Sequence, residues 1–190
     1  MSLLPKGETG GLSAKSGQHG PKSFYVGAAW DGNVDLDLMV VPIKDTASDE
    51  SNTVYYGRLA AYAGAIKHSG DALTGDDDDG DDESVVIGVD ALPNEVTALA
   101  IGVVAYNVPD MSAAKNTKFT IRDGADVSAP ELYTLPMADD DVEGETILVA
   151  GLLKRDGDGW SAKSIGEFRT DFKHGVEAVN GMVKIAAQYL

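Results

Sequence analysis

The chain has no cysteine, which excludes disulfides, thiolate zinc sites, iron–sulfur clusters and cysteine nucleophiles. Histidine is scarce. His19, His68 and His174 have no mutual spacing that suggests joint ligation, and each reads as a surface or capping residue. No apolar run reaches the ~18 residues of a membrane span, so no membrane insertion is expected. The opening MSLLPKGETGG lacks the apolar core of a signal peptide, and a cytoplasmic location is the expectation. Basic residues are few: 15 Lys and Arg against 31 Asp and Glu, for a net charge of −16. Nucleic acid and anionic membrane surfaces both require a basic footprint, so neither is expected as a partner. No P-loop, dinucleotide glycine motif or Ser-His-Asp grouping stands out.

What is present is ordinary globular chemistry: 190 residues, 43% hydrophobic, with 22 glycines, consistent with one domain over 1–190. Short apolar runs predict strands at Phe24–Trp30, Leu36–Ile43, Val54–Tyr56, Val85–Val89, Thr97–Tyr106, Phe119–Arg122 and Leu132–Leu135. Thr146–Lys154 and Trp160–Ile165 read as a hairpin, because Asp156-Gly157-Asp158-Gly159 between them is strong turn chemistry. Helical spacing is clear only at the C-terminus, where Phe168, Phe172, Val176, Val179, Val183 and Ala186 define one face. Gly175 and Gly181 are expected to weaken or split that helix. The predicted fold is mostly β: a β-sandwich of two antiparallel sheets with one or two short helices, including a C-terminal one. Trp30 and Trp160 read as packing residues.

The acidity is concentrated. Residues 71–83, DALTGDDDDGDDE, contain eight acids and no Lys or Arg, which is half of the net charge. A sparser group is Asp139, Asp140, Asp141, Glu143 and Glu145. Upstream, Asp31, Asn33, Asp35 and Asp37 place oxygens at alternate positions, which on an extended backbone would form one row, with Leu36, Leu38 and Val40 turned to the core. Neither segment is an EF-hand: Leu36 or Asp82 falls where the loop requires Gly. Oxygen donors without that frame still favour calcium, which takes about six to eight oxygens in flexible geometry. Two carboxylates ~4 Å apart repel by about 4 kcal/mol at an effective dielectric of ~20, so a compact fold of this segment requires a cation. The same composition also fits a solvated loop.

Taken in order, these residues resemble the tellurium-resistance (TerD-like) family of bacterial stress proteins. The similarity is carried by Leu3-Leu4-Pro5-Lys6-Gly7-Glu8 and by Val26-Gly27-Ala28-Ala29-Trp30-Asp31 followed by Asp35-Leu36-Asp37-Leu38. It continues in Val54-Tyr55-Tyr56, in His68-Ser69-Gly70-Asp71 with Thr74-Gly75 and Gly80-Asp81-Asp82-Glu83, and in Gly151-Leu152-Leu153-Lys154-Arg155 before Gly159-Trp160. Gly57, Ala72 and Met39-Val40-Val41 depart from the family pattern. The resemblance implies a β-sandwich that binds calcium through the two acidic segments. It implies ligands Asp35, Asp37, Asp71, Asp81, Asp82 and Glu83, a carbonyl from Gly75, and possible participation of Asp31. Asp76 to Asp79 would stand outside the ion's immediate shell or in solvent. The expected role is structural or regulatory, in a stress response, with calcium ions and protein partners of unidentified kind and no catalytic residues. The rival readings are a metal-dependent hydrolase using the acidic cluster with magnesium, and an acidic β-domain without metal.

Overall fold

The computed structural model describes residues 22–75, 80–106, 108–137, 142–172 and 175–190. The opening Leu3–Glu8 motif, Gly10-Gly11, His19, Asp76 to Asp79, Asp139 to Asp141 and His174 lie outside these residues. In chain order the strands are β1 Ser23–Asp31, β2 Asp35–Lys44, β3 Ala47–Ser48, β4 Ala60–Ala61, β5 Ile66–His68 and β6 Glu83–Gly88. They continue as β7 Val96–Tyr106, β8 Lys115–Asp123, β9 Glu131–Pro136, β10 Ile147–Asp156 and β11 Gly159–Arg169, before the helix α1 at Val176–Ala186. One sheet runs β4-β5-β6-β1-β8-β9 and the other β11-β10-β7-β2-β3. Every pairing is antiparallel. The expected sandwich is therefore present, with one α-helix among the described residues.

Two apolar layers explain why the strands read as runs. Leu36, Leu38 and Val40 face the inter-sheet core with Phe24, Val26 and Phe119. Met39, Val41 and Ile43, on the other face of β2, join Val104 and Leu152 beneath Val179, Met182 and Val183 of α1. A strand covered on both faces loses polar alternation, which is why Leu38–Ile43 is apolar throughout, with Asp37 the one charged residue between Leu36 and Ile43. The hairpin forms as expected: Asp156 pairs with Gly159, and Gly157 takes φ 58° at the turn.

Three local expectations are corrected. Val54–Tyr56 is no strand; Val54 bridges Val40, and Tyr55 bridges Arg58. The helix begins at Val176, and Phe168 instead lies near the end of β11, opposite Leu148. Phe172 still packs on α1, from the preceding loop, which is how the helical spacing over-extended. Gly181 does not split the helix. A Cβ there would lie 2.5 Å from the Phe172 ring, so glycine makes room for that ring.

Candidate metal centre

The row expected from Asp31 to Asp37 is broken by the chain itself. β1 ends in an irregularity between Ala29 and Asp31, and Gly32 turns with φ 117°. Asp31 accepts a hydrogen bond from Asn116 Nδ2, and Asn33 is exposed between the strands. Only Asp35 and Asp37 share a strand face, on β2.

Opposite them, the acidic segment docks through its backbone. The Gly75 N–H donates to Gly32 O at 3.0 Å, and the Asp82 N–H to Ala28 O at 2.9 Å. A Cβ on Gly75 would lie 2.0 Å from Trp30 O, so this approach requires glycine. The docked segment brings Asp71 to β2, where Asp35, Asp37 and Asp71 each offer a carboxylate oxygen within 4.8 Å of the other two. Asp37 is buried, Asp35 half-buried and Asp71 exposed. The cluster thus opens to solvent on one side.

Asp35 Oδ1 and Asp37 Oδ1 are buried and have no hydrogen-bond partner among the described residues. Such groups are costly unless something outside the protein satisfies them. Burial raises the Asp37 carboxyl, and Glu83, Asp35 and Asp71 push it further, to about 8. Asp35 is raised by burial and then by Asp71 and Glu83. The free carboxylates therefore resist sharing this space, and a divalent cation bound there would satisfy both the orphaned oxygens and the repulsion. The donor set fits calcium: all oxygen, unevenly buried, with room for further oxygens on the exposed side.

The remaining candidates are held elsewhere. Asp81 Oδ2 accepts from the Tyr25 hydroxyl at 2.9 Å, and Asp82 Oδ2 from the Trp30 N–H at 2.8 Å. Glu83 is fully buried, and its carboxylate acts as a staple. Oε2 accepts from the Leu38 N–H at 2.7 Å, and Oε1 from the Ala72 N–H at 3.1 Å. His68, expected as a surface or capping residue, is buried beside it. Its Nδ1 accepts from the Gly70 N–H at 3.1 Å, which assigns the proton to Nε2. Nε2 faces Leu38 O at 3.0 Å and Glu83 Oε2 at 3.4 Å. Glu83 and His68 thus bond the Leu38 backbone groups that face away from β7, as a neighbouring strand would. The alternation Ile66-Lys67-His68, buried–exposed–buried, is the sequence signal that would have turned His68 inward.

A cavity of about 350 Å³ adjoins the cluster, and Asp37 is part of its wall. Its floor is Met39, Val104 and Val179, beneath the start of α1.

Fold and site together define a two-sheet antiparallel sandwich with an acid cluster where a docked loop meets one strand. The chain belongs to the TerD domain family, whose model matches residues 1–179. It is 27% identical to the stress response protein SCP2 of Bacillus subtilis, over 88% of this chain and 92% of that one. It is 26% identical to the tellurium resistance protein TerD of Serratia marcescens, over 98% and 95% of the two chains. Among solved structures, a protein of unknown function superposes with a TM-score of 0.70 at 18% identity, covering 85% of this chain and 97% of that one. A Streptomyces coelicolor homologue of the telluride resistance protein TerD gives 0.64 at 19% identity, covering 82% and 93%. These two likenesses concern the fold.

Proposed function

We propose that this protein is a non-enzymatic, calcium-binding component of a cytoplasmic stress response, of the kind named for its tellurium-resistance and stress-response relatives. Asp35, Asp37 and Asp71 would hold the ion. The observation that carries this reading is the pair of buried, unpartnered carboxylate oxygens on Asp35 and Asp37, facing Asp71 from a different segment. Bound calcium would supply charge neutralisation and oxygen coordination. The chain's own residues do the rest: Gly75, Asp82 and Glu83 seat the acidic segment, and β2 presents the two buried carboxylates. Fixing that segment gives a protein partner a defined surface to read.

Calorimetric titration of chelator-stripped protein tests the reading. Calcium is expected to bind, with magnesium weaker at equal concentration, because magnesium keeps its waters and needs few carboxylates. Asp37→Ala and Asp71→Ala should each abolish the same event, and their double-mutant cycle should be non-additive. Equal affinity for both ions, or no heat with calcium, refutes it.

A further inference from the structure

We propose that His68 is the positioning residue of the metal centre: its imidazole fixes the distance between the carboxylates of β2 and that of the acidic segment, and so sets the preference for calcium over magnesium. The proposal rests on the calcium reading above and adds a residue that touches no ion.

His68 is the last residue of β5, opposite Val85 of β6. Its backbone N–H donates to Leu59 O at 2.9 Å, and its side chain is fully buried. The ring is therefore held from behind. A buried polar ring needs partners, and here they come from two segments. Nδ1 accepts from the Gly70 N–H, directly before Asp71. Nε2–H points to Leu38 O, directly after Asp37, and to Glu83 Oε2. One neutral ring thus bridges the peptide groups next to Asp37 and Asp71, which lie 34 positions apart (71 − 37). Both ring nitrogens are spent on this bridge, so His68 is no ligand of the ion.

The turn suits the same contact. Gly70 takes φ 131°, a conformation that side chains rarely adopt, with its N–H directed at the ring. Glu83 makes a parallel bridge, from the Leu38 N–H to the Ala72 N–H. Asp71 is therefore bracketed: the residue before it is tied to His68 and the residue after it to Glu83. The two bridges differ in kind. Glu83 carries charge and pushes on the Asp35 and Asp37 carboxyls, so its removal changes the field in the cluster as well as the shape. The neutral His68 contributes shape alone, and its loss isolates the effect of spacing.

Shape decides between the two ions. Magnesium requires oxygens at ~2.0–2.1 Å in a near-ideal octahedron, whereas calcium accepts them at ~2.3–2.6 Å in flexible geometry. Carboxylates pinned from behind resist closing by the ~0.3 Å per ligand that magnesium requires. Once the segment is untied, calcium loses its preformed site and magnesium loses less. Groups that orient metal ligands typically govern affinity by roughly 10–100-fold.

The test is calorimetric titration of the chelator-stripped full chain with calcium, alone and in competition with magnesium. His68→Leu should weaken calcium roughly tenfold or more and lower the calcium-to-magnesium affinity ratio. His68→Asn keeps an acceptor for the Gly70 N–H and should recover part of both. Gly70→Ala leaves the buried ring in place, and its added Cβ meets no atom within 4 Å. Strain at that φ should still shift the ratio in the same direction, so this variant carries the test if His68→Leu fails to fold. Absence of calcium binding in the wild type overturns the reading beneath. Wild-type binding with an unchanged ratio in the variants overturns this inference, because a merely structural role weakens both ions alike. A His68→Asn protein no better than His68→Leu overturns the Gly70 bond as the tether.

Discussion

Glu83 and Asp37 lie within one acid-rich neighbourhood and do opposite things. Glu83 spends both oxygens on backbone N–H groups of Leu38 and Ala72, so its removal leaves one buried and one partly buried donor unsatisfied. At ~1–3 kcal/mol for the buried donor and less for the partly buried one, Glu83→Ala should cost about 1–4 kcal/mol of stability, read by denaturant unfolding. The loss should persist with chelator present, which separates a staple from a metal ligand. Asp37 has the reverse problem: an oxygen without a donor and three acids around it. Its carboxyl is raised to about 8 in the folded protein, so the fold holds this proton more tightly than the unfolded chain does. Its contribution to stability is therefore full below the unfolded value of ~3.9 and is lost as pH rises through about 8. Chelated wild type should lose stability relative to Asp37→Asn between pH 5 and 8.5 in paired thermal melts. A parallel pH dependence of the two proteins refutes the assignment. None of this distinction was legible from residue type, because alternating acids read alike until their neighbours are placed.

Helix α1 shows the same limit at the level of an element. Glycine inside an exposed helix normally gives way to alanine with a gain of about 1 kcal/mol. Gly181 is different, because the Phe172 ring lies where a Cβ would sit. Gly181→Ala should destabilise by about 1–3 kcal/mol, as overpacking does. Pairing it with Phe172→Leu should recover part of the loss, and a simple propensity gain in the melt would contradict this packing. The periodicity correctly found the helix and its buried Val179, Val183 and Ala186, but carried the pattern back through Phe172 to Phe168. Phe168 belongs to β11, and the turn at Gly175 with φ 68° separates it from the helix. The hairpin, by contrast, was fully legible, because turn chemistry and strand pairing are both local there.

For the molecule as a whole, net charge and cation binding set the expectation. A ligand confined to the folded state stabilises it by about 2.7 kcal/mol at a hundredfold excess over Kd. Calcium should therefore raise the thermal midpoint, and chelation should act locally. In hydrogen exchange, chelation should deprotect Asp71–Gly75 and Gly80–Glu83 while β1, β7 and β10 stay protected, since those strands are held by the two apolar layers and by their pairing with neighbouring strands. Loss of protection throughout the core strands would instead make the ion a requirement of the whole fold.

The sequence by itself determined the fold class, most strands, the hairpin, the C-terminal helix and the two acidic segments. All of these follow from local chemistry: periodicity, turn residues and charge density along the chain. Only the tertiary structure decided which acids meet. Asp35, Asp37 and Asp71 converge because Gly75 and Asp82 dock one segment onto β1, while Glu83 and His68 fasten it to β2. Those contacts join residues up to 54 positions apart (82 − 28), and no spacing rule reads a backbone N–H that far from its acceptor.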